Sequence, residues 1–139
     1  MYTTLLFLHF IGLAMAVGTG FAFLRLGRAF RAMPPAEKGP LFGKIAVLRL
    51  NTYTGFALLV LTGLGMTALR PGLFAAAGGA FHVKLTLVVL MLLGMGVMHL
   101  IMAKARRAGG PPPAYLMTLG NVNFSMGILT ILMAVLAFH

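Results

Sequence analysis

The sequence predicts an all-α integral membrane protein, an antiparallel up-and-down bundle of four transmembrane helices. Sixty per cent of its 139 residues are hydrophobic and only 9% are charged, whereas a soluble domain averages about 25% charged residues. Crossing the hydrocarbon core of a bilayer takes about 20 helical residues. Four stretches without Lys, Arg, Asp or Glu are long enough to do so: 5–24, 50–69, 85–103 and 115–139.

Proline and glycine set the expected ends of these helices. We predict one membrane domain over residues 1–139, with helices over about 4–32, 40–70, 81–107 and 114–138. Proline lacks a backbone donor and clashes with the preceding turn, so Pro34 and Pro35 should end the first helix. Pro40 suits the first turn of the second helix, which Arg70-Pro71-Gly72 should end. Because the connections are short, neighbouring helices should be antiparallel.

The basic residues predict the orientation in the membrane. Nine of them lie in the first and third connections, against two around the second: Arg25, Arg28, Arg31, Lys38, Lys44, Arg49, Lys104, Arg106 and Arg107, against Arg70 and Lys84. Basic connections stay in the cytoplasm. We therefore expect loops 25–49 and 104–114 to be cytoplasmic and both termini to lie outside the cell (inner) membrane.

The same asymmetry accounts for a total of 11 Lys and Arg against one acidic residue. Membrane topology explains this excess better than nucleic-acid binding does, so no nucleic-acid partner is expected. The expected partner is the lipid bilayer, and a homo-oligomer or a larger membrane complex remains open.

The composition excludes most chemistry by side chains alone. There is no Cys, so no disulfide or thiolate metal site can form. Glu37 is the single acid and lies in a loop, so the chain has neither a carboxylate pair nor a Ser-His-Asp triad. A bound cofactor would have to carry any difficult chemistry.

His9 is the first candidate for a functional residue. It lies well inside the first predicted helix and shares a helical stripe with Gly12, Ala16 and Gly20, so it should face neighbouring helices. An ionisable residue inside a membrane helix is a functional candidate by default. The alternative is a neutral histidine hydrogen-bonded to the next helix.

The start of the third predicted helix offers a second candidate. Lys84 should lie at nearly the depth of His9, where it could bind an anionic group of a ligand. The alternative is that its ammonium reaches the interface along its own aliphatic stem. His82 is shallower and could simply be solvated.

Methionines form a stripe on the third predicted helix. Met91, Met95, Met98 and Met102 fall within a narrow arc that also contains Lys84. Thioethers suit Cu(I) or an axial position on haem. Methionine is also a flexible filler of apolar cores, and we favour that interpretation.

A layer of polar residues should lie near the cytoplasmic ends of the helices. Its members are Arg25, Arg49, Asn51, Thr52, Tyr53, Thr54, His99, Asn121, Asn123 and Ser125. Hydrogen bonds between helices would explain the layer, and a polar ligand pocket is the alternative. Arg25 and Arg49 are also ordinary positive-inside anchors.

Gly55, Gly63 and Gly65 should let the second helix approach a neighbour closely.

Three segments carry a resemblance to a known family. They are His9 followed by Leu24-Arg25-Leu26; Leu48-Arg49-Leu50 followed by Leu61-Thr62-Gly63-Leu64; and His82-Val83-Lys84-Leu85. In this order and spacing, the chain resembles HemJ-type protoporphyrinogen IX oxidases over most of the first three helices. CopD-type four-helix membrane proteins are similar in general appearance.

The resemblance implies a membrane oxidoreductase that oxidises protoporphyrinogen IX, a porphyrin precursor, to protoporphyrin IX. It implies bound haem b with His9 as the axial ligand to the metal. Lys84, Arg25 and Arg49 would be catalytic, holding propionates or passing protons.

His82, Met95 and His99 are further cofactor-binding candidates. As the second ligand, His9 could pair with His82, with His139 or with a methionine, whereas His99 has no histidine partner at its depth. His82 and His99 are 17 residues apart on one helix, about 25 Å at 1.5 Å per residue, so they cannot serve the same face of one iron. Two alternatives to the oxidase are kept: a non-catalytic small membrane subunit or scaffold, and a metal or small-solute carrier using the methionine stripe.

Overall fold

The computed structural model describes residues 1–34, 37, 41, 44–45, 47–109 and 113–138. The described part is helical and has no strand. Its elements are α1 Tyr2–Ala32, α2 Leu48–Leu69, α3 Pro71–Ala76, α4 Gly78–Arg107 and α5 Tyr115–Phe138. Within that part, α1, α2, α4 and α5 are long and apolar enough to cross a membrane. The predicted all-α class with four membrane-spanning helices is confirmed, and the protein is a multi-pass membrane protein.

Two of the long helices end where a proline comes next. Met33 caps α1 with φ −81° and ψ 148°, and Arg70 caps α2 with φ −139° and ψ 64°. Each of these caps directly precedes a proline, whose Cδ disfavours the helical conformation for the residue before it. The proline signals in the sequence therefore act as expected.

Elsewhere the helix bounds differ from those expected. α2 begins at Leu48. Its expected start at Pro40 lies outside the described residues. Pro35, the second of the two prolines expected to end α1, lies outside them too. The short helix α3 was not expected. Its first residue is Pro71, which suits a helix start. α4 begins at Gly78, before the expected residue 81. The φ of this residue is +64°, a value that glycine adopts without steric cost.

The chain divides into two compact units, Met1–Leu73 and Phe74–His139. The long helices of the first unit are α1 and α2, and those of the second are α4 and α5. Within each unit the two long helices pack against each other. The two pairs are described separately below.

The α1–α2 pair has a close backbone contact at two glycines. A Cβ built on Gly12 would lie 2.7 Å from the Gly55 carbonyl oxygen, and one built on Gly55 would lie 2.9 Å from the Gly12 carbonyl oxygen. The two backbones therefore touch without any side chain between them, as small residues allow in membrane helices. Leu5 packs on Gly65 and Thr19 meets Asn51, so the helices are antiparallel.

The α4–α5 pair is filled by longer side chains. The Met91 methyl group lies 3.2 Å from where a Cβ on Gly127 would stand, and the Asn123 side-chain oxygen lies 2.7 Å from where a Cβ on Gly94 would stand. These two contacts show that α4 and α5 are also antiparallel. No backbone atom of the opposite helix lies among the near neighbours of either glycine.

Threonine hydroxyls in both pairs bond to their own helices. Six of them donate to the carbonyl four residues earlier, at 2.6–3.0 Å: Thr19, Thr54, Thr62, Thr67, Thr86 and Thr130. Large apolar side chains cover the outer faces of the helices, among them Phe7, Leu61 and Leu100 with 61%, 68% and 68% of their surface exposed. A hydrocarbon environment suits these faces because it removes them from water.

Candidate functional site around His9

His9 faces α2 and forms a hydrogen bond with it. The His9 Nδ1 atom lies 2.9 Å from the Thr62 hydroxyl oxygen. Thr62 is buried, with 3% of its surface exposed. His9 Cε1 lies 3.7 Å from where a Cβ on Gly63 would stand, an ordinary van der Waals distance, so the ring packs over this glycine. The predicted direction of His9 toward a neighbouring helix is therefore correct within this unit.

The partners of Thr62 show which way the His9 bond runs. Its hydroxyl also lies 2.6 Å from the Leu58 carbonyl oxygen, which can only accept a hydrogen bond. A hydroxyl has one proton, and this proton is used on Leu58. The Thr62 oxygen therefore accepts from His9 Nδ1–H. In the neutral ring with this tautomer, Nε2 carries the lone pair.

A cation–π contact joins α1 and α2 at the end of the pair nearest His9. The Arg70 guanidinium carbon lies 4.5 Å from the centroid of the Tyr2 ring. A cation over an aromatic face is attracted by the quadrupole of the ring. This contact joins the start of α1 to the end of α2, about two helical turns from His9.

Part of the predicted polar layer forms hydrogen bonds between α1 and α2. Asn51 donates to the Thr19 hydroxyl at 2.7 Å and to the Met15 carbonyl at 3.3 Å. The two acceptors are both on α1, so the amide of α2 is paired across the interface. For Asn51, the structure favours the interhelical hydrogen bond over the polar ligand pocket.

Arg25 and Arg49 lie at the opposite end of this pair from His9, which we call the basic end. Arg25 is exposed and Arg49 is half-buried. Arg25 follows His9 by 16 residues in the same helix, about 24 Å along the axis at 1.5 Å per residue. The structure therefore separates these two candidates from His9 within one unit.

The other predicted site residues lie in the second unit. His82 is exposed and its Nδ1 atom donates to the Gly78 carbonyl at 3.1 Å, within its own helix. Lys84 and Met95 are half-buried and His99 is exposed. His139 lies outside the described residues.

The methionine stripe contacts α5 at Met91. Its four members are half-buried, and the Met91 sulfur lies 3.7 Å from the Thr130 hydroxyl oxygen, whose proton is donated to the Met126 carbonyl at 2.8 Å. For Met91 this supports the interpretation as core filler. Nearby, the Asn123 side-chain oxygen is buried with no hydrogen-bond partner.

No group of three or more His, Cys, Asp or Glu that could hold a metal ion occurs among the described residues. A haem iron does not need such a group, because the porphyrin supplies four nitrogens and the protein one or two axial ligands. His9 supplies the chemistry of one such ligand. The sequence analysis named Thr62 only within a motif and did not pair it with His9, because the pairing depends on the register of α1 and α2.

Comparison with known proteins finds no match: no protein-family model, curated protein or solved structure matches this chain.

Proposed function

We propose that this protein is a haem b-dependent membrane oxidoreductase of the HemJ type, acting on protoporphyrinogen IX, with His9 as an axial ligand. The observation that carries the proposal is the His9–Thr62 hydrogen bond. Histidines that bind metals nearly always donate their second ring N–H to an oxygen, which fixes the ring and its tautomer. His9 has this arrangement inside a membrane helix.

The donor set fits one axial position. Neutral imidazole is a common haem ligand, and His9 carries its lone pair on Nε2 when Nδ1–H is donated to Thr62. Bound haem would supply the electron transfer that none of the side chains of the protein can provide. His82, His139 and Met95 remain the candidates for the second ligand of a haem bound at His9.

The cationic residues take different roles in this proposal. Arg25 is about 24 Å along α1 from His9, too far to touch a ring bound there, so we assign Arg25 and Arg49 to proton passage and membrane anchoring at the basic end. Lys84 is the cation proposed for a propionate or for the substrate. We also propose that the basic end is cytoplasmic and that both termini lie outside the cell (inner) membrane, since nine basic residues flank the first and third connections.

Purification from haem-replete cells tests the proposal. The full chain should copurify with stoichiometric haem and show a Soret band, and its membranes should oxidise protoporphyrinogen IX. His9→Ala should lose both the band and the activity. Thr54→Val is the matched control, because the exposed Thr54 hydroxyl bonds only within α2. Colourless wild-type protein, or a His9→Ala variant with full cofactor and activity, would contradict the proposal.

A reporter fused to the C-terminus tests the orientation separately. If the C-terminus lies outside, a reporter that works only outside the cytoplasm should be active when it is fused to this end. Activity of a cytoplasm-only reporter at the same position would reverse the topology.

A second candidate function is a non-catalytic membrane subunit or scaffold. The observation in its favour is that Asn51 and Thr62 form their hydrogen bonds within the α1–α2 pair, as expected where polar groups only hold helices together. This candidate predicts a colourless protein whose partner copurifies stoichiometrically from its native membrane. Preparation in mild detergent, with separate haem and protein quantification, distinguishes the two functions.

A further inference from the structure

We infer that Thr62 is a positioning residue for His9: it fixes the Nδ1–H tautomer and thereby makes Nε2 the nitrogen that binds an electron-pair acceptor such as a haem iron. The iron part of this inference rests on the proposed function. The tautomer part does not, and can be tested without any cofactor.

The direction of the bond follows from elementary donor and acceptor chemistry. The Leu58 carbonyl, 2.6 Å from the Thr62 hydroxyl, has no proton to give. A second carbonyl, that of Leu59, lies 3.3 Å from the same hydroxyl and also only accepts. Both contacts hold the hydroxyl proton on the α2 side. The Thr62 oxygen is left to accept the Nδ1–H of His9 at 2.9 Å.

The surroundings make this arrangement rigid. Thr62 has 3% of its surface exposed, so bulk water does not compete for its hydroxyl. One turn along α1, the backbone contact between Gly12 and Gly55 fixes the register of the two helices. A shift in that register would separate the imidazole from the hydroxyl. The tautomer is therefore set by tertiary packing as well as by the ring itself.

The first test reads the tautomer directly by ¹⁵N NMR of the full chain, labelled at histidine, in lipid bilayers without haem. The wild type should show His9 protonated at Nδ1. Thr62→Val keeps the shape but removes the acceptor, so it should shift the signal toward the Nε2–H form. Thr62→Ser should restore the Nδ1–H form. Unchanged backbone signals of the other α1 and α2 residues would show that the helix pair of each variant is folded.

The matched control is Thr67→Val. Thr67 lies on α2 beyond Thr62, and its hydroxyl donates to its own helix at Gly63, so its removal should leave the His9 tautomer unchanged. An Nε2–H form in the wild type would overturn the inference. An unaltered Nδ1–H form in Thr62→Val would do the same.

The second test uses haem titration and redox potentiometry. Loss of a residue that orients a metal ligand costs about 10–100-fold in metal affinity, so Thr62→Val should bind haem that much more weakly and with a shifted reduction potential. Thr62→Ser and Thr67→Val should match the wild type. Wild-type affinity and potential in Thr62→Val would overturn the positioning role. If the tautomer responds as expected but no variant binds haem, the proposed function fails while the assignment of Thr62 stands.

Discussion

In the α1–α2 pair two backbones touch at Gly12 and Gly55, whereas in the α4–α5 pair the ends of Met91 and Asn123 reach the glycines of the opposite helix. A backbone cannot move aside without moving its helix, but the end of a long side chain can. The first pair is therefore specified by rigid contacts, and the second by flexible packing.

The side-chain amides of the two pairs differ in the same way. Asn51 donates to two atoms of α1, whereas the buried oxygen of Asn123 has no partner. An unpaired polar atom costs free energy where a paired one stabilises. The packing of the α1–α2 pair, which contains His9, is thus the better specified of the two. Such packing is needed to hold the His9 imidazole in one orientation.

The largest expected effect is that of Gly12→Ala. The added methyl group would meet the Gly55 carbonyl at 2.7 Å and the Leu59 amide nitrogen at 3.1 Å, so the helices must separate, at a cost of about 1–3 kcal/mol. Denaturant titration in micelles measures the loss. Gly18→Ala, on the same helix with open space around it, is the control. Equal stability of the two variants would show that the backbones do not touch.

A smaller loss is expected for Asn51→Leu. This variant removes both donations to α1 and leaves the Met15 carbonyl and Thr19 oxygen with fewer partners. Hydrogen bonds between membrane helices contribute about 0.6–2 kcal/mol, and the same titration should show a loss in that range. A stability equal to that of the wild type would remove Asn51 from the contacts that specify this pair.

Asn123→Leu should either stabilise the protein, in contrast to Asn51→Leu, or leave its stability unchanged. Leucine has a similar shape and brings no unpaired oxygen, so the change should lie between neutral and a stabilisation of about 1 kcal/mol. Comparison with Asn51→Leu in one experiment sharpens the contrast between the pairs. A loss as large as that of Asn51→Leu would mean that the Asn123 side chain has a partner that stabilises the folded protein.

The smallest effect is expected for Gly127→Ala. Its methyl group would meet only the Met91 methyl at 3.2 Å, and the unbranched methionine can turn aside, so the stability should change by less than about 0.5 kcal/mol. The same measurement as for Gly12→Ala applies. A loss as large as that of Gly12→Ala would show that the second pair is as rigid as the first.

Much of this fold could be predicted from the sequence, because apolar length and proline position act locally. The ends of α1 and α2 follow from Pro34 and Pro71, and Gly55, Gly63 and Gly65 do pack against α1. The six-residue helix α3 could not be predicted, since a segment that short between two spans has no periodicity to detect.

The sequence predicted that His9 faces a neighbouring helix, but it did not predict which residue His9 bonds to. His9 shares its stripe with Gly12, and that stripe does face α2. Its bond to Thr62 depends on which turn of α2 lies opposite, and this register is decided by the meeting of Gly12 and Gly55. No local pattern in either helix contains that information.

The bonding of the threonines within their own helices bears on how the protein is made. A hydroxyl that already donates to the carbonyl four residues back, as Thr62 does to Leu58, enters lipid with its proton satisfied. A nascent helix carrying such threonines can leave the translocon before its partner helix is present, since unpaired polar groups are what hydrocarbon penalises. The donors of Asn51 have both of their acceptors on α1. Synthesis from the N-terminus therefore brings each acceptor into the membrane before the amide that needs it.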